Sequence, residues 1–176
     1  ETELPELMLV PAGPELAQAR ERFSGILGAE LLFRSLQRTA GNWEWVVIDC
    51  PPSIGILTRN ALRACQAVVI PMEAHHLSLH GLSQLVQFVD SCKTQNPELR
   101  VEAILPCRVH PRRRIHQEVM TRLEELFPGR VAPQIRENVS LAQAPGMGRP
   151  VILAAPRSHG AQDYREATRW LVEHFG

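Results

Sequence analysis

The sequence has almost no lysine. Of its 19 basic residues, 18 are arginine, and the single lysine is Lys93. A phosphate-cradling loop of the form G-x-x-x-x-G-K-[ST] needs a lysine directly after a glycine, because that side chain reaches the β- and γ-phosphates. Lys93 lies in Cys92-Lys93-Thr94, with no glycine near it. These residues therefore build no P-loop of their own. The four cysteines, Cys50, Cys65, Cys92 and Cys107, form no C-x-x-C pair. That spacing fits neither a zinc site nor a compact disulfide framework, and it implies free thiols in a reducing cytoplasm. No apolar run approaches the roughly 18–20 residues that span a bilayer. The start, Glu1-Thr2-Glu3, has no basic n-region of a signal peptide and no initiator methionine, so an internal start is expected.

What is present suits a folded chain. A length of 176 residues with 44% hydrophobic and 22% charged side chains predicts one domain, 1–176, with a sizeable core. Net charge is zero, but it is unevenly spread. Residues 1–99 carry 7 basic and 11 acidic side chains, whereas residues 100–157 carry 10 arginines against 5 acids. This predicts a basic surface from the third quarter of the chain.

Hydrophobic periodicity organises the rest. Residues 6–10 read as a short strand, and 15–39 show helical spacing broken near Gly25 or Gly28. The run Trp45-Val46-Val47-Ile48-Asp49 has no alternation, which suits a strand buried on both faces of a parallel sheet. A helix is expected over 54–64, a second buried strand over 67–71, and an amphipathic helix over 78–94. A strand at 101–105, a helix at 112–127 and a short strand at 131–135 follow. The sequence then predicts one helical turn at 138–143, a loop at 146–150, a short apolar piece at 151–153 and a terminal helix at 160–175. Strands alternating with helices predict an α/β fold, mostly a parallel sheet with helices on both faces.

The strongest local feature is Val46-Val47-Ile48-Asp49-Cys50-Pro51-Pro52-Ser53. In open α/β sheets ligands bind beyond the C-terminal ends of the strands. A carboxylate at such an end is placed to hold Mg²⁺ directly or through water, as Walker-B aspartates do. The competing reading is an aspartate that ends a strand or caps the next helix. Pro51-Pro52 stiffen the segment and favour a positioned carboxylate.

The run from Asp49-Cys50-Pro51-Pro52-Ser53-Ile54-Gly55 to Leu62 resembles the Walker-B and switch segment of ParA/Soj-type partition ATPases, the deviant Walker-A group. The resemblance continues in order. Ile70-Pro71-Met72-Glu73 and Leu79-His80-Gly81-Leu82 are similar to the family's next strand and helix. Asn138-Val139-Ser140-Leu141-Ala142-Gln143-Ala144-Pro145 is similar to its late nucleotide-side loop, and Ser158-His159-Gly160-Ala161 to the start of its last helix. It covers essentially the whole chain and implies a P-loop NTPase-like fold from which the first strand and P-loop are missing. It further implies Mg²⁺ and ATP in the intact parent, with none expected on this chain alone. Asp49 would be the catalytic, Mg²⁺-side carboxylate, and Cys50, Pro51, Pro52, Ser53, Gly55, Asn138 and Pro145 the nucleotide-side and switch residues.

The implied partners are nonspecific DNA, a ParB-like protein and a second copy of the chain, in a cytoplasmic, nucleoid-associated protein. Arg108, Arg112, Arg113 and Arg114 are the DNA-contact candidates, since guanidinium groups suit phosphate contacts. Arg112 falls where the family has such an arginine. Elsewhere the sequence departs from the pattern: Glu137 and Ser140 stand where many members carry arginine, Arg136 where proline is usual, and His110 where aspartate is frequent. The competing reading of the arginine run is a solvated helix start. His76 and His80, at i and i+4, and neighbouring His75 read as surface histidines rather than a metal site, because no H-E-x-x-H motif accompanies them. The last helix carries too little basic charge beside Trp170, Leu171 and Phe175 for a membrane anchor. The expectation is thus a ParA-like partition protein without its ATP-binding loop. The alternatives are a non-catalytic module on the same scaffold and a MinD-like positioning ATPase.

Overall fold

The computed structural model describes residues 4, 6–16, 18, 27–39, 41 and 43–175. They fall into two compact units, Glu1–Cys65 and Gln66–Gly176.

In the first unit a 3-10 turn, Leu27–Glu30, leads into helix α1, Leu31–Arg38, and helix α2 spans Ile56–Ala64. Asn60 of α2 ties these pieces together. Its Nδ2 donates to the Gly28 carbonyl at 2.7 Å and to the Ile56 carbonyl at 2.9 Å, and its Oδ1 accepts from the Leu32 amide at 3.1 Å. The Leu32 amide belongs to the first turn of α1, where no i−4 carbonyl is available, so Asn60 supplies the missing acceptor. The Arg63 guanidinium lies 4.8 Å from the Phe33 ring centre and 3.6 Å from Glu30. Much of the long helix expected over 15–39 falls at positions outside the described residues.

Two expected strands of this unit are absent. Residues 6–10 and 45–49 form no ladder among the described residues. Their side chains lie open, with Val10 91% and Val47 90% exposed. The apolar run has the right composition for a sheet interior. A strand exists only where a neighbour accepts and donates its backbone hydrogen bonds in a ladder, and among the described residues the only ladder joins 67–73 to 100–107.

The second unit follows the expected alternation. Strand β1, Ala67–Glu73, leads to helix α3, His76–Cys92, then strand β2, Arg100–Cys107, and helix α4, Arg114–Leu126. The strands pair in parallel from Ala67↔Arg100 to Glu73↔Cys107, with a register shift at Val68/Val69. Residues 130–137 run along the other edge of β2. Ile104 donates to the Arg130 carbonyl, Ala132 to Ile104, Ile135 to Pro106 and Val109 to Ile135. The strand expected at 131–135 is reduced to isolated bridges, Ile104↔Val131 and Val109↔Arg136. Pro133 and Pro106 each lack a backbone donor, so the ladder cannot close between them. The core beneath is apolar and fully buried: Val89 from α3, Leu99, Ala103 and Ile104 at β2, and Val119 and Leu123 from α4.

The chain ends in helix α5, Val139–Gln143, a 3-10 turn Ala144–Met147, helix α6, Val151–Ala154, and helix α7, His159–Phe175. Asn138 caps α5, its Oδ1 accepting from the Ser140 amide at 2.9 Å. The loop expected at 146–150 is shorter, because Gly148, at φ +63°, closes the 3-10 turn in the left-handed region. The short apolar piece at 151–153 is a helical turn. Gly160 lets α7 approach α5: a Cβ there would sit 2.6 Å from Leu141 Cγ.

Candidate functional site

The Asp49–Gly55 segment and α2 belong to the first unit. Asp49 is exposed and makes no hydrogen bond or ion pair with any described residue. Pro51 and Pro52 fix the backbone after it, and Thr58 Oγ1 donates to the Ser53 carbonyl at 2.7 Å, pinning the turn to α2. Gly55 then starts α2, and its carbonyl accepts from the Arg59 amide at 3.0 Å. The unpaired carboxylate is thus carried on a stiff, anchored segment, which suits a hard cation held through water. Burial and the adjacent Asp49 charge push the Cys50 thiol up from its ordinary range. The Cys65 thiol is pushed up to about 11, by burial first and then by Cys50. Both are free thiols, as are Cys92 and Cys107. Raised values make Cys50, Cys65 and Cys107 poor thiolates, which argues against any of these three as a nucleophile.

Lys93 does not supply phosphate chemistry. Its Nζ pairs with Asp90 Oδ1 at 2.7 Å.

Asn138 and Pro145 belong to the second unit. Asn138 spends its side-chain oxygen on the α5 cap, and Pro145 is exposed in the 3-10 turn. Arg136, which stands where the resembled family has proline, is engaged elsewhere. Its Nη2 donates to Asp163 Oδ1 at 2.5 Å, its Nε to Oδ2 at 2.9 Å, and its backbone amide to Oδ2 at 2.9 Å. Burial pushes Asp163 up, but the hydrogen bonds and charge of Arg136 outweigh it and hold the carboxyl below its ordinary value.

The four candidate arginines come together at the ends of β1 and β2 and the start of α4. Arg108 sits in the left-handed region at φ +53°. That turn aims its guanidinium at two carboxylates, Glu73 at 2.8 Å and Glu137 at 3.5 Å. The two glutamates, the first foremost, raise the already high value of Arg108. Arg112 and Arg113 are exposed and have no ion pair with a described residue, while Arg114 meets Glu118 at 2.9 Å on α4. The N-terminus of α4 has no side-chain cap and no acid in its first turn, so its backbone amides add to the positive field.

Sequence reasoning missed the histidines around this surface. His116 of α4 is buried, 2% exposed, and its ring centre lies 5.6 Å from those of both His75 and His110. His116 Nδ1 accepts from the His110 amide at 3.1 Å, so the ring proton is on Nε2, which is buried with no partner. A ring whose Nδ1 accepts an amide and whose Nε2 carries hydrogen has no lone pair for a metal. Among the described residues no group of three metal-ligating side chains is placed to hold an ion. The only sequence signal for the cluster was the i, i+6 pair His110 and His116 flanking the arginine run.

Residues 1–101 match a family profile described as an AAA domain. Over 175 residues the chain is 36% identical to the chromosome partitioning protein ParA of Myxococcus xanthus, covering 98% of this chain and 62% of that protein. Over 171 residues it is 36% identical to the sporulation initiation inhibitor protein Soj of Bacillus subtilis, covering 96% of this chain and 68% of that one. Among solved structures, cobyrinic acid a,c-diamide synthase from Mycobacterium smegmatis with bound ADP and magnesium is similar at TM-score 0.75 and 26% identity, over 94% of this chain and 61% of that one. A Borrelia burgdorferi plasmid partition protein bound to AMPPNP shares the fold at TM-score 0.78 and 21% identity, over 93% of this chain and 63% of that one. No helix among the described residues is long and apolar enough to cross a membrane.

Proposed function

The chain belongs to the ParA/Soj-type partition ATPase family, and from that premise we propose that it serves DNA partition as the switch-bearing and DNA-contacting part of a nucleotide-dependent protein. The observation that carries the reading is Asp49: an exposed carboxylate with no hydrogen bond or ion pair to a described residue, on a segment stiffened by two prolines and anchored by Thr58. Mg-ATP, when bound, would supply the phosphoryl chemistry. Asp49 would hold the metal through water, and the segment 51–55 would register what is bound and pass that state to α2. Asn138 and Pro145 of the second unit are kept as nucleotide-side candidates, Asn138 through its backbone because its side chain caps its own helix. Arg108, Arg112, Arg113 and Arg114 would contact phosphates of nonspecific DNA. A ParB-like protein and a second copy of the chain are the proposed partners, in the cytoplasm at the nucleoid.

Retardation of a nonspecific duplex by the intact parent protein, with and without Mg-ATP, tests this. Arg112→Ala is expected to weaken DNA binding, and Asp49→Ala to remove any response to nucleotide. Binding untouched by both substitutions overturns the proposal.

A second reading, a non-catalytic interaction module, draws on one observation. The chain's only lysine is committed to Asp90, and no glycine–lysine pair exists in these residues. Under that reading DNA binding persists with no nucleotide response in the wild type.

A further inference from the structure

Three carboxylates stand inside the arginine surface, and each is shared between one arginine and one histidine. Glu73 meets Arg108 at 2.8 Å and lies 4.0 Å from His75 Nε2. Glu137 meets Arg108 at 3.5 Å and also the Nε2 of His110. Glu118 meets Arg114 at 2.9 Å and lies 3.9 Å from His76 Nε2. The pattern draws on five segments of the second unit: the end of β1, the start of α3, the turn after β2, the first turns of α4, and residues 130–137.

The consequence is electrostatic. Four arginines against three carboxylates leave this surface one positive charge when the histidines are neutral. Protonating His75, His76 and His110 raises that to four. Histidine is the side chain whose charge changes in the neutral range, and polyanion affinity follows the number of phosphates neutralised.

His116 completes the arrangement without adding charge. It is buried among His75, His110, Arg113 and Glu137, and burial, then its two histidine neighbours, push it below its ordinary value. Its Nδ1 is already taken by the His110 amide. Its ring centre lies 5.6 Å from those of His75 and His110.

We propose that His75, His76 and His110 are part of the phosphate-binding surface, adding titratable charge to the arginines and so tuning its hold on polyanions. The proposal deepens the DNA reading above and rests on it only for the identity of the polyanion. The histidines act on the carboxylates less by moving than by offsetting their charge: a protonated His110 offsets Glu137, one of the two carboxylates that hold Arg108, and a protonated His75 offsets Glu73, the other.

The test is binding of two fluorescent polyanions, a nonspecific DNA duplex and a heparin fragment, to the full chain at constant ionic strength from about pH 8 to about pH 6. Affinity is expected to rise about tenfold or more on acidification, with a steeper salt dependence at the lower pH. The combined variant His75→Gln, His76→Gln and His110→Gln is expected to show one affinity throughout the range. Circular dichroism and a cooperative melt confirm that it is folded, and single variants, each reduced by a part of the pH response, serve if it is not. A heparin profile that is flat in the wild type, or equally steep in the variant, overturns the proposal. Heparin binding that follows pH while DNA fails to bind at every pH supports the surface and removes the DNA reading instead.

Discussion

Arg136 and Asp163, 27 positions apart, form a two-pronged ion pair in which the backbone amide of Arg136 also donates to the same carboxylate. Asp163 is buried on the inner face of α7, and its partner lies on the strand-like segment beside β2. The pair therefore fastens the last helix to the sheet edge. Removing one partner strands the other and leaves an amide donor unsatisfied. Asp163→Ala is expected to lower unfolding free energy by about 3 kcal/mol, the cost of breaking a largely buried pair. Urea denaturation of both proteins measures it.

The same carboxylate sets an acid limit. Its folded value lies below the ordinary 3.8, so its contribution is fully present above that value and is lost as pH falls through the lower folded one. Asp163→Asn is expected to flatten the stability profile on the acid side of about pH 4. Thermal melts across that range show whether the slope survives.

His116 acts in the same direction but nearer neutrality. Its folded value is depressed from the ordinary 6.5, first by burial and then by His110 and His75. The stability tied to its neutral form is full above about pH 6.5 and declines as pH falls from there toward the folded value. His116→Asn keeps an acceptor for the His110 amide and cannot gain a proton. It is expected to lose this part of the pH dependence, as read from urea midpoints at about pH 8 and about pH 5.

Asn60 holds two hydrogen bonds from α2, one to the 3-10 turn and one to the start of α1. Asn60→Ala leaves the Gly28 carbonyl and the Leu32 amide without that partner, at about 1–3 kcal/mol for the group left unsatisfied. Amide exchange at Leu32 is expected to speed up before exchange in β1 and β2 changes. Equal acceleration in both units would contradict a local role.

Gly160 supplies room rather than backbone freedom. Gly160→Ala would place a methyl group against Leu141, and the core of Ala144, Val151 and Ala161 lies beside it. The variant is expected to lose about 1–3 kcal/mol, with Leu141→Ala in the same chain restoring part of it. A double-mutant cycle by urea denaturation reads the coupling.

The sequence by itself determined the parts that depend on local pattern. β1, α3, β2, α4 and α7 stand where periodicity puts them, because continuous apolar runs and three-to-four spacing report which faces are buried. It also placed the chain in its family through the ordered motifs from Asp49 to Ala161. Two features were beyond its reach. Trp45–Asp49 has the composition of a buried strand, yet strand formation depends on a neighbour's backbone, and a run of side chains carries no record of whether that neighbour is there. The second is the charge of the arginine surface. Arg108, Arg112, Arg113 and Arg114 read as cations from the sequence. Glu118 is within reach of Arg114 as its i, i+4 neighbour, but only the tertiary structure brings Glu73 and Glu137 to Arg108 and sets His76 against Glu118 and His110 against Glu137. Those partners come from as far as 35 positions away, and Coulomb interaction depends on distance in space, which the order of residues along the chain does not give.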